Sequence, residues 1–120
     1  MSDDLLTWLA EQIDAAEKQT RTLLYWAQQT SLTLQDPKLL GKYIPGWHAW
    51  PDVEQLCRQH LADLNAKRRL VKWCEDRARD LEDFPADPDY REAATQAVWF
   101  LKMLALPYVN QPGYREEWQP

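Results

Sequence analysis

Glycine is scarce in this chain, with three in 120 residues. An all-β fold needs many tight turns and draws on glycine to make them, so that class is excluded. Cysteine is nearly as rare, and two thiols make no disulfide framework; they fit a reducing compartment. If Cys57 and Cys74 share one helix, the rise between them is about 25 Å, far beyond disulfide reach. Nowhere does the sequence approach the roughly 20 consecutive apolar residues that span a bilayer, so no membrane association is expected. The opening "MSDDLLTWLAEQ" puts acids where a signal peptide carries bases. The expected location is the cytoplasm.

What is present points to a packed helical domain. With 45% hydrophobic and 28% charged residues, the chain is neither disordered nor too polar to bury a core. Its length suits a single domain over 1–120. Seven tryptophans is a high count for this length, and aromatic rings dominate the energetics of cores and interfaces alike. The net charge of −5 hides an asymmetry. Residues 1–36 hold six acids against two bases, whereas Arg58, Lys67, Arg68, Arg69 and Lys72 face Asp63 alone between 58 and 72. A local basic stripe can steer an anionic partner even on an acidic protein.

Ser2, Asp3 and Asp4 suit a helix N-terminus. Leu5, Leu6, Leu9, Ile13, Ala16, Thr20, Leu23, Leu24 and Ala27 then recur on one stripe about 100° wide, which predicts helix 1 over about 3–29. Trp8, Ala15, Gln19 and Trp26 form a neighbouring edge with two indoles. The pattern lapses over 30–52, "TSLTLQDPKLLGKYIPGWHAWPD". This connector has room for one helical turn at Pro37–Lys42, and Tyr43, Trp47 and Trp50 are expected to fold back over the helix ends. Asp52 caps helix 2, about 52–84, whose stripe reads Val53, Leu56, Leu64, Val71, Cys74, Ala78 and Leu81. Asp87 and Pro88 open helix 3, about 88–105, with Tyr90, Ala94, Ala97, Val98, Leu101, Leu104 and Ala105 on one face.

Three amphipathic helices must bury their apolar faces against one another. The expected fold is all-α: an antiparallel three-helix bundle with a long aromatic connector after helix 1 and an extended proline- and aromatic-rich tail, 107–120, packed on it. The helices differ in length, at about 40, 48 and 27 Å, so apolar surface is left over for the connector, the tail or a second copy. A reversal at Pro107 is expected to lay Tyr108, Pro112, Tyr114 and Trp118 along helix 3 near Trp99, as a clamp. The rival reading is a detachable partner-binding motif.

Three stretches carry a resemblance: "WFLKMLALPYVNQPGYREEWQP", "LNAKRRLV" and "DDLLTWLAEQIDAAEKQTR". The resemblance they carry extends over about two-thirds of the chain. They resemble a family of small proteins of unknown function from actinobacteria and their phages, whose members share an acidic first helix, an "-EAKRRIL-" core and an ending close to "ALPYADHPDYREEWRP". The chain departs from that family's "HIARHDPARVL" segment, reading "EQLCRQHLADL" instead. The resemblance implies a setting, the actinobacterial cytoplasm or a phage growing there, and carries no mechanism.

No constellation points to catalysis. Cys57 and His60 are spaced i,i+3, and His48 and Cys74 are the only completion on offer. The paired spacings of a zinc site are absent, so the thiols read as small apolar residues and no metal or other cofactor is expected. His60, Asp63 and Lys67 interrupt the stripe of helix 2 as a buried polar cluster, but Asp63 and Lys67 also make an ordinary i,i+4 pair. No nucleophile with a neighbouring base and no glycine-rich phosphate loop joins them. The functional expectation is a non-enzymatic protein that binds another protein or itself, as a homodimer. The candidate surface is Trp8, Trp26, Tyr114 and Trp118. The alternative is a nucleic-acid-binding accessory protein that uses Arg58, Arg69 and Lys72 on the outer face of helix 2.

Overall fold

The computed structural model describes residues 2–34 and 50–120. Among these residues every regular element is helical and no strand occurs. Helix α1 is Ser2–Leu34, α2 is Trp50–Asp83 and α3 is Pro88–Ala105, followed by two short 3-10 turns, Leu106–Tyr108 and Glu116–Trp118. Helix α1 thus runs past the expected end at 29. Helix α2 starts ahead of Asp52, with Pro51 in its first turn, where the missing N–H is an orphan in any case. The anticipated turn at Pro37–Lys42, the positions of Tyr43, Trp47 and His48, and the side chain of Trp50 lie outside the described residues.

The chain divides into two compact units, Met1–Asp14 with Asn65–Pro120, and Ala15–Leu64. In the first unit the core draws Leu5, Trp8, Leu9 and Ile13 from α1, Val71 and Cys74 from α2, and Ala94, Ala97, Leu101 and Ala105 from α3, with Trp118 from the tail. The acidic start of α1 and the paired aspartates around α3 set both helix ends to favour the macrodipole. In the second unit Thr20, Ala27, Cys57 and Leu64 are buried. The Thr20 hydroxyl donates to the Ala16 carbonyl at 2.7 Å, which lets a polar side chain sit inside.

Helix α2 corrects the predicted stripe. Its buried positions are Cys57, Leu64, Val71 and Cys74, while Leu56 is 63% exposed and His60 and Asp63 face solvent. Two heptad rows lie side by side on this helix: 57, 64, 71 and 78, and 60, 67, 74 and 81. The row that starts with a histidine turns outward at that end, and the row that starts with a thiol turns in. The expected buried polar cluster therefore does not form. His60 and Asp63 keep their hydration, which removes the cost of burying them.

Four residues link α2 to α3. The Phe84 amide donates to the Asp80 carbonyl and the Asp87 amide to the Phe84 carbonyl, while Phe84 stacks on Tyr90 with ring centroids 5.2 Å apart. Asp87 takes an extended N-cap conformation and its carboxylate accepts from the Asp89 amide at 2.9 Å, with Pro88 next. Replacing Asp87 with Ala removes that acceptor and is expected to cost about 1 kcal/mol, against almost nothing for Asp87→Ser. Urea unfolding of the two variants checks this, and equal midpoints would show that the cap is idle.

Candidate functional site

The densest chemistry in the chain is aromatic and surrounds Trp8. Residues 106–120 leave α3 through a turn at Pro107, and the two 3-10 turns bring Tyr108, Tyr114 and Trp118 around one indole. Ring centroids lie 6.5, 5.6 and 5.2 Å from that of Trp8, the first two in edge-to-face arrangement and Trp118 tilted. Tyr114 and Trp118 also meet edge-to-face at 5.8 Å. The Trp8 indole N–H donates to the Pro112 carbonyl at 3.1 Å. Trp8 is left 9% exposed and Trp118 4%.

Charged groups ring this cluster. Arg115 reaches the Asp4 carboxylate at 3.1 Å and places its guanidinium over the Trp118 ring, 5.2 Å from the centroid. The Lys67 ammonium lies over Tyr108 at 5.6 Å. Such contacts contribute modestly at exposed sites, but they pin the tail at both margins of the aromatic cluster. Lys67, anticipated in a polar trio with His60 and Asp63, is engaged here instead. The tail also differs from the expected extended path along α3: its rings contact Trp8, while Trp99 is 52% exposed and its ring partner is Phe100. The reason is chemical. A buried indole needs an acceptor for its N–H, and the Pro112 carbonyl supplies one to Trp8.

Of the candidate partner surface, then, Trp8, Tyr114 and Trp118 are turned toward one another, and Trp26, which belongs to the other compact unit, is 59% exposed with its ring edge-to-face to Tyr25. A further exposed aromatic surface lies on α2 and α3. Trp73 and Phe100 meet edge-to-face at 6.0 Å and Trp99 and Phe100 at 5.4 Å, with Leu70 and Met103 also exposed. The Arg77 guanidinium covers Trp73 from 5.4 Å. Sequence reasoning placed Trp99 on the outer face of α3 but gave that face to the tail, and so missed it as open surface; Phe100 beside Trp99 was the unused signal.

The basic stripe is largely neutralised at home. Arg58 pairs with Glu54 at 2.9 Å, Lys72 with Asp76 at 2.9 Å, and Arg68 with Asp14. The hydrogen bond from Lys72 holds the Asp76 carboxyl below its ordinary range. Arg69 is exposed. Both cysteines are free and buried. Among the described residues no group of three or more His, Cys, Asp or Glu side chains converges as a metal site, and no helix is long and apolar enough to cross a membrane.

The architecture so far defines a small all-helical protein whose tail folds onto its first helix through aromatic contacts. The chain belongs to a family of unknown function, DUF6221, which it matches over residues 2–120. No curated protein and no solved structure matches it.

Gly113 is the pivot of the clasp. Its φ of +89° lies where side chains are strained, and a Cβ there would stand 2.8 Å from the Trp8 indole nitrogen. Gly113→Ala is expected to cost about 2–4 kcal/mol by combining strain with overpacking. Tyr114 behaves in the opposite way. Its buried hydroxyl has no hydrogen-bond partner among the described residues, so Tyr114→Phe is expected to be neutral or to stabilise by up to about 1 kcal/mol. Denaturant titrations decide both; a harmless alanine at 113 contradicts the clasp geometry, and a costly phenylalanine at 114 reveals an acceptor for that hydroxyl.

Proposed function

We propose that this protein acts by binding another protein and has no catalysis of its own. The observation that carries the reading is the aromatic face of Leu70, Trp73, Trp99, Phe100 and Met103, where five large apolar side chains stay open to solvent. Contiguous apolar surface of this kind marks interaction sites on otherwise polar proteins. Tryptophan and arginine are enriched among the residues that dominate binding energy, and Arg77 stacked on Trp73 supplies that combination. This face takes the role first given to Trp8, Trp26, Tyr114 and Trp118. The simplest occupant is a second copy, related by a twofold axis that buries the same patch on both chains. We read the three helices as an antiparallel bundle. The setting is the cytoplasm of an actinobacterium or of a cell carrying one of its phages, a reading that rests on the family resemblance.

Light scattering at tens of micromolar is expected to give twice the 14.2 kDa chain mass. Trp73→Ser with Trp99→Ser should return it to the monomer with the helical circular dichroism spectrum unchanged, since both side chains are solvent-facing. A wild-type mass of one chain sinks self-association, and retention of nucleic acid lost with Arg58→Glu, Arg69→Glu and Lys72→Glu moves the assignment to the basic stripe.

A further inference from the structure

We propose that the cavity between α1, α2 and α3 in the unit of Met1–Asp14 and Asn65–Pro120 binds an amphipathic amine, meaning a medium-length hydrocarbon body that carries one ammonium group. The cavity holds about 470 Å³ and its wall includes Leu6, Cys74, Ala78, Leu81, Val98 and Leu101. Packed interiors leave few voids larger than a water molecule, whereas small-molecule sites run to roughly 300–1,000 Å³. Three alanines, Ala78, Ala94 and Ala97, line this one where larger side chains would fill it.

Its polarity is one-sided. The interior offers a ligand almost nothing to hydrogen-bond: the Thr95 hydroxyl is committed to the Arg91 carbonyl at 3.0 Å, and burial holds the Cys74 thiol neutral by pushing its pKa up to about 11. The charged residues of the lining are both acids, Asp3 and Glu82. Neighbouring carboxylates have cations: Asp4 has Arg115, Glu75 has Arg79, and Asp76 has Lys72. Asp3 and Glu82 have no ion pair among the described residues, and both are exposed. Arg79 adjoins both, but its guanidinium is engaged by Glu75 and Asp76, and two carboxylates without an ion pair beside an apolar wall attract a cation and repel a fatty acid. An apolar body with a cationic end meets both demands.

The length of the hollow suits a medium-length hydrocarbon. From Cys74 to Glu82 the cavity follows eight residues of α2, about 12 Å. A single alkyl chain fits. The site shares no lining residue with the aromatic face of Leu70, Trp73, Trp99, Phe100 and Met103, so it stands or falls independently of the interaction reading.

Calorimetry and thermal shift on the full chain, with octylammonium, octanol and octanoate as probes, test the proposal. Octylammonium is expected to bind and raise the melting temperature, octanol to bind more weakly, and octanoate to fail. Asp3→Asn with Glu82→Gln, both at exposed positions, should weaken octylammonium about tenfold and leave octanol unchanged. Ala78→Leu should abolish binding of every probe by filling the cavity. Absence of octylammonium binding at millimolar concentration overturns the proposal. Equal affinity for all three probes, or an unchanged octylammonium affinity in the Asp3→Asn, Glu82→Gln protein, also overturns it.

Discussion

A single indole nitrogen governs how the C-terminal segment is held. Trp8 is buried on α1, and a buried N–H without an acceptor would cost on the order of 1–3 kcal/mol. Its acceptor is a carbonyl 104 positions further along the chain. That one requirement has many consequences. The backbone must approach the ring closely at Gly113, where only hydrogen fits. The tail must turn twice to bring Tyr108, Tyr114 and Trp118 around the same ring. Arg115 then lies within reach of Asp4, and Lys67 above Tyr108. The ionic contacts are solvent-exposed and worth little alone; the aromatic area carries the energy.

The legible parts of the fold are those written in local chemistry. Helix α3 is readable from "DPD" at its start and Pro107 beyond its end, because a cap and a proline act within a few residues. The inward row of α1 is readable as far as Leu5, Leu9 and Ile13, all of them buried. Helix α2 was ambiguous, because its two heptad rows are both partly apolar and only the surrounding structure decides which faces in. Leu56, read into the apolar stripe, is exposed there, while Cys57, read as a small apolar residue outside that stripe, is buried. The destination of the tail was not legible. Periodicity on α1 places Trp8 beside the apolar stripe but says nothing of a partner more than a hundred residues away.

Electrostatics divides the surface in the same selective way. Most cations of α2 meet acids one helical turn away, as in Arg58 with Glu54, Lys72 with Asp76 and Arg79 with Glu75. Local pairing of this kind lowers the field that a basic stripe projects. Opposite to that, the carboxylates of Asp3 and Glu82 stand beside an apolar hollow without an ion pair among the described residues. Trp73, Trp99 and Phe100 present apolar area whose rings restrain one another, which reduces the rotamer entropy lost when a partner covers them.

The distance in sequence across the clasp also shapes how the chain must fold. Helices form from contacts a few residues apart, and the four-residue link between α2 and α3 closes quickly. The contacts of Trp8 with Pro112 and of Asp4 with Arg115 span 104 and 111 positions. Contacts so far apart pay their loop-closure entropy late and slow the final step. A ribosome that releases residues in order makes Trp8 long before the segment that covers it, so the nascent chain carries an uncovered indole on α1 while the 104 positions to Pro112 are made. The interval during which this protein is most prone to misassociation is therefore set by translation time rather than by the intrinsic speed of its helices.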